Sequence, residues 1–340
     1  MTRNTFFAEH PLTLESGRQL ENLEIVYHIS EPDPDKTKPV VWICHALTAN
    51  SDPEEWWPGM VGKGKYFDPD KYTIVCANVL GSCYGTTGPA SVSPEGKPWL
   101  VDFPAITIRD MVACHMLLRE HLGIGQIHLL TGGSIGGFQA LEWAVMEADT
   151  HEHLVLVATA AFASPWAIAI NETERMALEA DQTLDGQDPE GGKAGLAAAR
   201  AIGLLSYRGY EAYNNTQSET DNEILDQFRA SSYQRYQGEK LVRRFNAYCY
   251  HCLTKAQDTH NMARGRHSLA RALGMIKART LVLGIVTDLL FPLVEQQKMH
   301  RLIPASHFRE IESEYGHDGF LLENEQISKA IKDFIHKQKT

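Results

Sequence analysis

The chain has 340 residues, 43% of them hydrophobic and 22% charged. Those proportions are ordinary for a globular protein and exclude a disordered chain, while the length suits one large domain with an insertion, or two domains. The net charge of −11 is spread along the chain; it argues against a nucleic-acid surface, which needs a basic stripe to neutralise phosphate, but leaves room for a local cationic pocket that takes an anionic substrate.

From the beginning of the chain, Met1 to Glu15 lacks a basic segment followed by an apolar core, so no signal peptide is expected. Val40-Val41-Trp42-Ile43-Cys44 reads as a buried strand running into His45-Ala46-Leu47-Thr48. Tyr72 to Ala77 reads as a second, ending at Asn78. After Thr107, a candidate N-cap, Ile108, Met111, Val112, His115, Leu118 and Leu122 recur at helical spacing. Gln126 to Leu130 and Leu154 to Ala158 read as further strands, the former running straight into Thr131-Gly132-Gly133. Strands alternating with helices imply a mostly parallel sheet covered on both faces. From Trp166 to Arg271 the pattern is helical and polar; strands return at Thr280 to Val286 and His307 to Ile311, before an amphipathic helix from Asn324 to Ile335. Residues 1–165 and 272–340 are therefore expected to form an α/β core, and 166–271 an inserted helical lid. Apolar runs such as Leu154 to Ala163 fall short of the roughly 20 residues a membrane helix needs, so no membrane partner is expected. The six cysteines, Cys44, Cys76, Cys83, Cys114, Cys249 and Cys252, read as buried thiols in a reducing cytoplasm. Cys249 and Cys252 form a single CxxC inside a predicted helix, which is more consistent with packing than with zinc or redox chemistry.

The sharpest chemical signal is Gly132-Gly133-Ser134-Ile135-Gly136-Gly137. It fits G-x-S-x-G between a strand and a helix, the nucleophile elbow of the α/β-hydrolase fold. Small flanking residues let the backbone turn tightly, exposing the hydroxyl at the sheet edge, and the following helix points its positive end at a developing oxyanion. A serine nucleophile needs a base, and the base needs an orienting acid. In this fold the chain order is serine, acid, histidine. Asp288 is the first carboxylate after the apolar run Leu281 to Val286, and His317 lies in the Gly-containing loop Tyr315-Gly316-His317-Asp318-Gly319 after the last strand. His300 and His307 flank that strand and read as surface residues. The oxyanion hole is expected from the backbone N–H groups of Leu47 and Ile135, with His45 shaping the first of those loops. Asn78 through Pro89 reads as either a Gly/Thr-rich active-site wall or a surface loop. The sequence contains no P-loop, no GxGxxG and no convincing metal-ligand cluster.

With these motifs in view, the chain resembles the homoserine O-acetyltransferase family. The resemblance rests on His45-Ala46-Leu47-Thr48, Trp56-Trp57-Pro58-Gly59, Asn78 through Pro89, Phe103-Pro104, Thr107 through Val112 and Gly132 through Ala144. In the helical region it rests on Ala199-Arg200-Ala201-Ile202-Gly203, Ser206-Tyr207-Arg208, Asp258-Thr259-His260 and Arg264-Gly265, and it closes with Gly316-His317-Asp318. It implies acetyl transfer from acetyl-CoA to the homoserine hydroxyl in methionine biosynthesis, by a ping-pong route through acyl-Ser134. It also implies that Arg200, Tyr207 and Asp318 bind the amino-acid substrate, that no cofactor is permanently bound, and that the enzyme is a cytoplasmic homodimer joined through the lid. Homoserine O-succinyltransferase, serine O-acetyltransferase, an esterase or thioesterase, and a non-catalytic binding module are the competing expectations. Three departures from the family pattern, Ala49-Asn50, Ser82 and Ile135, are expected to touch the acyl pocket, and the lid is short.

Overall fold

The computed structural model describes residues 1–30 and 37–336. Its ten strands are β1 (Thr2–Phe7), β2 (Leu12–Thr13), β3 (Gln19–Leu20), β4 (Glu24–Ile29), β5 (Val40–Cys44), β6 (Thr73–Ala77), β7 (Ile127–Gly133), β8 (His151–Val157), β9 (Arg279–Ile285) and β10 (His307–Ile311). Eight form one sheet in the order β1-β4-β6-β5-β7-β8-β9-β10, while β2 and β3 pair separately. The six strands from β6 to β10 run parallel. Except in the largely exposed edge strand β10, their apolar runs, buried on both sides, suit a sheet sandwiched between helices.

Two apolar layers hold the sheet. One packs Trp42, Leu130 and Leu154 against the helices Ile108–His121 and Ile135–Met146, with Phe138 and Trp143 at its centre. The other packs Ile43, Val155 and Leu283 against Trp57, Phe67 and the Ile327, Ile331 and Phe334 face of the final helix, Asn324–His336. Helix Ile108–His121 begins as its sequence predicts. The Thr107 side chain accepts from the Asp110 N–H, and the Asp110 carboxylate accepts from the Thr107 N–H, completing a capping box.

Between β8 and β9 the regular structure is helical apart from one bridge pair, Phe162 with Asn261. Its helices are Pro165–Glu179, Lys193–Tyr207, Tyr210–Gln217, Arg229–Val242, Ala247–Asp258 and Leu269–Leu273. Pro165 stands in the first turn of the first helix, and the Ser164 hydroxyl caps it by accepting from the Ala167 N–H. Among the described residues no helix is long and apolar enough to cross a membrane.

The structure corrects the sequence reading at the edge of the sheet. β1 and β4, where the sequence pattern predicts no strand, run antiparallel to their neighbours. β1 is a largely exposed edge strand, so it carries no apolar alternation to detect. β7 continues through Thr131-Gly132-Gly133 to the residue before Ser134, where a turn was expected. Only four cysteines are buried; Cys83 and Cys252 are half-buried.

Candidate active site

Ser134 follows the last residue of β7 and precedes the helix Ile135–Met146, with φ 57° and ψ −130°. A non-glycine residue held at positive φ costs on the order of 1–3 kcal/mol and persists only where its surroundings fix it. Here the Ser134 N–H donates to the Val157 carbonyl at 3.1 Å, and its own carbonyl accepts the Thr159 hydroxyl at 2.8 Å. The glycines are required by close approach. A Cβ on Gly132 would lie 2.2 Å from the Gly136 carbonyl oxygen, and one on Gly136 would lie 2.1 Å from that of Cys44. The helix thus starts directly against the ends of β5 and β7.

Asp288 lies just beyond β9. One carboxylate oxygen accepts the Leu290 and Phe291 N–H groups at 2.8 and 2.9 Å; the other accepts His317 Nδ1–H at 2.7 Å. Asp288 thus holds its turn and orients the imidazole at once. With Nδ1 donating, His317 Nε2 is the acceptor, 2.9 Å from Ser134 Oγ. Thr287, which the sequence reading passed over, ties the two loops together: its hydroxyl donates to Ser313 O at 2.7 Å and accepts the Gly316 N–H at 3.0 Å. All three members of the chain are buried. Burial alone would push the His317 pKa down, but the Asp288 carboxylate, helped by Asp318, overcomes it and holds the ring above its ordinary value. A hydroxyl, imidazole and carboxylate linked in this way can take the proton from Ser134 and stabilise the resulting imidazolium.

His45 is fully buried. It accepts the Val79 N–H on Nε2 at 3.1 Å and meets the Ala46 carbonyl with Nδ1 at 2.8 Å. Burial pushes its pKa down to about 4, so the ring acts as a neutral brace between two loops. Leu47, on the braced loop, lines the same cavity as Ser134. The Leu47 and Ile135 N–H groups have no hydrogen-bond partner among the described residues, so both are free to meet an anionic oxygen. In the segment Asn78 to Pro89 only Tyr84 lines the cavity. Thr86 and Thr87 turn away and accept the Val26 and Glu24 N–H groups of β4 at 2.9 Å each, so most of this loop anchors the sheet edge and does not form a site wall.

The cavity has a volume of about 410 Å³, and Arg200, Tyr207, Asp318, Lys240 and Arg244 share its lining with Ser134 and His317. Arg208 is spent on Asp318, with Nε 2.9 Å from the carboxylate. Arg200 enters no ion pair among the described residues; its guanidinium lies 5.4 Å from the centre of the Tyr207 ring, which in turn lies 5.9 Å from His317. For Asp318, burial outweighs the pull of Arg208, Arg200 and His317 and raises the carboxyl above its usual range.

Residues 39–324 match the α/β hydrolase fold family. Over 335 residues the chain is 47% identical to the homoserine O-acetyltransferase of Cyclobacterium marinum, spanning 98% of this chain and 95% of that protein. The chain belongs to the homoserine O-acetyltransferase family. Its fold also matches the crystal structure of a homoserine O-acetyltransferase from Bacillus anthracis (TM-score 0.89, 23% identity, 98% of this chain and 97% of that one). Esterase E22 is as similar in fold, with a TM-score of 0.88 and 24% identity over 98% of this chain and all of that one.

Of the departures from the homoserine O-acetyltransferase pattern, only Ala49 and Asn50 line the cavity. The Ile135 side chain packs into the core while its N–H stays beside Ser134, and Ser82 is buried outside the cavity lining, which overturns the expectation that all three side chains touch the acyl pocket. Lys240 and Arg244 went unnoticed in the sequence because charged residues on a polar helical stretch look like solvated surface. Arg244 in fact clasps the loop carrying Leu47: Nη1 donates to the Thr48 carbonyl and, at 2.7 Å, to the Tyr84 hydroxyl, while Nη2 reaches the Thr48 hydroxyl at 3.3 Å. Cys249 and Cys252 lie on the helix Ala247–Asp258 as free thiols; burial raises Cys249 well above its ordinary value and Cys252 to about 12. The structure also gathers His128, Glu152 and His153, with ligand atoms within 4.8 Å of one another. They sit near the starts of β7 and β8, at the opposite sheet edge from Ser134. Neighbouring strands supply them, which is why the sequence read as free of such a cluster.

Proposed function

We propose that this family member transfers an acetyl group from acetyl-CoA to the hydroxyl of L-homoserine, the acylation step of methionine biosynthesis, through an acetyl-Ser134 intermediate. His317 Nε2 takes the Ser134 proton as Oγ attacks the thioester carbonyl. The backbone N–H groups of Leu47 and Ile135 stabilise the tetrahedral oxyanion. The carbon–sulfur bond breaks, His317 returns the proton to the CoA sulfur, and the thiol departs. The homoserine hydroxyl then gives its proton to His317 and attacks the acetyl-serine; collapse of the second oxyanion, with the proton passing back to Oγ, releases O-acetylhomoserine and free Ser134. Asp288 keeps the imidazole in the required tautomer throughout. The steps use acetyl-CoA as co-substrate and no resident cofactor or metal.

The observation that carries this reading is an Arg200 with no ion-pair partner among the described residues, in the cavity onto which the Ser134–His317–Asp288 chain opens. A free guanidinium suits a small carboxylate, and Asp318 offers a carboxylate for the acceptor's ammonium, shared with Arg208. Tyr207 flanks both. Acetyl transfer must outrun hydrolysis, and we assign to the helices between residues 166 and 271 the role of a lid that excludes water and orients the acceptor. Exposed apolar side chains on those helices and the segments joining them, among them Leu205, Tyr210 and Leu225, support assembly as a homodimer through the lid. Six free thiols suit a reducing cytoplasm.

The test is an assay of acetyl-CoA and succinyl-CoA against homoserine and serine, with mass spectrometry of protein quenched before acceptor is added. The expected result is an acetyl adduct on Ser134 that homoserine discharges as O-acetylhomoserine, with succinyl-CoA and serine poor substitutes. A full acetyl adduct in Ser134→Ala, or rapid acetyl-CoA hydrolysis that homoserine does not divert, would overturn the assignment.

A further inference from the structure

Behind the acceptor end of the cavity lies a carboxylate that none of the chemistry above uses. Glu174, on the helix Pro165–Glu179, is completely buried. One of its oxygens accepts the Tyr250 hydroxyl at 3.0 Å; the other has no hydrogen-bond partner. That second oxygen lies 2.6 Å from where a Cβ on Gly203 would stand, and the edge of the Tyr207 ring lies 3.3 Å from the same point. Glycine at 203 therefore lets the carboxylate approach Tyr207 from behind.

The groups that face Glu174 come from three helices. On its own helix is Arg175, already bound to Glu172 and to Asp258. From Lys193–Tyr207 come Arg200 and Tyr207, and from Ala247–Asp258 come Tyr250 and Asp258. Arg200 is thus the nearby cation with no carboxylate of its own among the described residues. We infer that Glu174 is a positioning residue that sets how much of Arg200's charge the acceptor's carboxylate meets. The inference rests on the reading of Arg200 as the carboxylate-binding group.

The physics follows from burial. Desolvation disfavours the charged carboxylate and pushes Glu174 up to about 8, against the pull of Tyr250, Arg200 and Arg175. Below that pH the group is a neutral acid, so it braces Tyr207 without neutralising Arg200. Above it, a buried anion beside Arg200 competes with the incoming carboxylate. Acceptor binding and Glu174 ionisation then oppose each other by the same factor. The KM for homoserine should rise as pH passes through about 8, with kcat at saturation following one profile with or without the carboxylate.

The experiment compares homoserine KM and kcat from pH 7 to pH 9.5 in wild type and Glu174→Gln. The acceptor's ammonium titrates in the same range but equally for both proteins, so the ratio of the two KM values is the readout. That ratio should rise about fivefold across the range, a modest coupling between neighbouring sites. Tyr250→Phe removes a hydroxyl that favours the charged form, so its KM rise should move to higher pH. The same ratio measured with homoserinamide, which lacks the carboxylate, should stay flat with pH, because its ammonium titrates equally for both proteins. A homoserine KM ratio flat with pH, or a homoserinamide ratio that rises as homoserine's does, would overturn the inference while leaving acetyl transfer intact. A wild type that acetylates neither acceptor would sink the functional reading and this inference together.

Discussion

At the scale of single residues, the site works by separating what each charge faces. Asp288 divides its two oxygens between a turn and an imidazole, and Asp318 occupies Arg208, which leaves Arg200 for an anion from solution. The first division makes a pH prediction. Asp288→Asn removes the charge that lifts His317, so the imidazole pKa should fall and the acid limb of kcat/KM should move to lower pH. An asparagine can also donate its amide hydrogen to Nδ1, which would put the ring proton on Nε2 facing Ser134. The maximal rate should then drop by about 10⁴-fold, because the ring can no longer accept. A pH–rate profile of thioester cleavage checks both; an unmoved acid limb with a lowered plateau would mean that His317 is not the titrating base. Ser134, Asp288 and His317 were legible in the sequence because each follows a strand and they come in the order the fold requires. Arg200 and Tyr207 were legible only through family resemblance. Nothing in the sequence distinguishes Glu174 from a solvated helix glutamate, since its burial comes from helices far away in the chain.

The element that controls this chemistry is the strand–turn–helix unit around Ser134. Parallel pairing sets Cys44 opposite Gly132, and the helix begins so close to both that position 136 has no room for a side chain. Gly136→Ala should therefore push the helix start away from β5, misplacing the Ile135 N–H and Ser134 together. The expected outcome is a loss of about 3 kcal/mol in stability, within the range of overpacked cores, and a larger proportional loss in kcat. Urea unfolding and steady-state kinetics read the two effects separately; a variant with native stability and native kcat would show that the close approach is not needed. This unit was easy to read because its glycines, strand and helix are contiguous. β1 was missed because an edge strand with an exposed face needs no apolar alternation, and the beginning of β8 because His151, Glu152 and His153 are polar residues in a strand.

For the whole molecule, the question is what covers the outer face of the helical insertion. Its inner face is secured: Arg244 holds the Thr48 loop, and Phe245 packs edge-on against Tyr84 with ring centres 5.7 Å apart. The insertion also exposes Leu225 at 92%, Tyr210 at 79%, Leu205 at 62% and Tyr236 at 52%, on helices and a connecting segment from one stretch of chain. Contiguous exposed apolar area on a globular protein marks an association surface, and a stable dimer buries about 800 Å² on each partner. If that surface joins two copies, the wild type should sediment as two chains at micromolar concentration. Tyr210→Asp with Leu225→Asp should sediment as one, because each carboxylate would have to be desolvated in the interface. Neither side chain lines the cavity, so the single-chain form should still load acetyl on Ser134. A change in its homoserine KM would then measure how far dimerisation steadies Arg200 and Tyr207 on the adjoining helix. A wild type that sediments as a single chain would rule out the dimer and leave the exposed face to another partner.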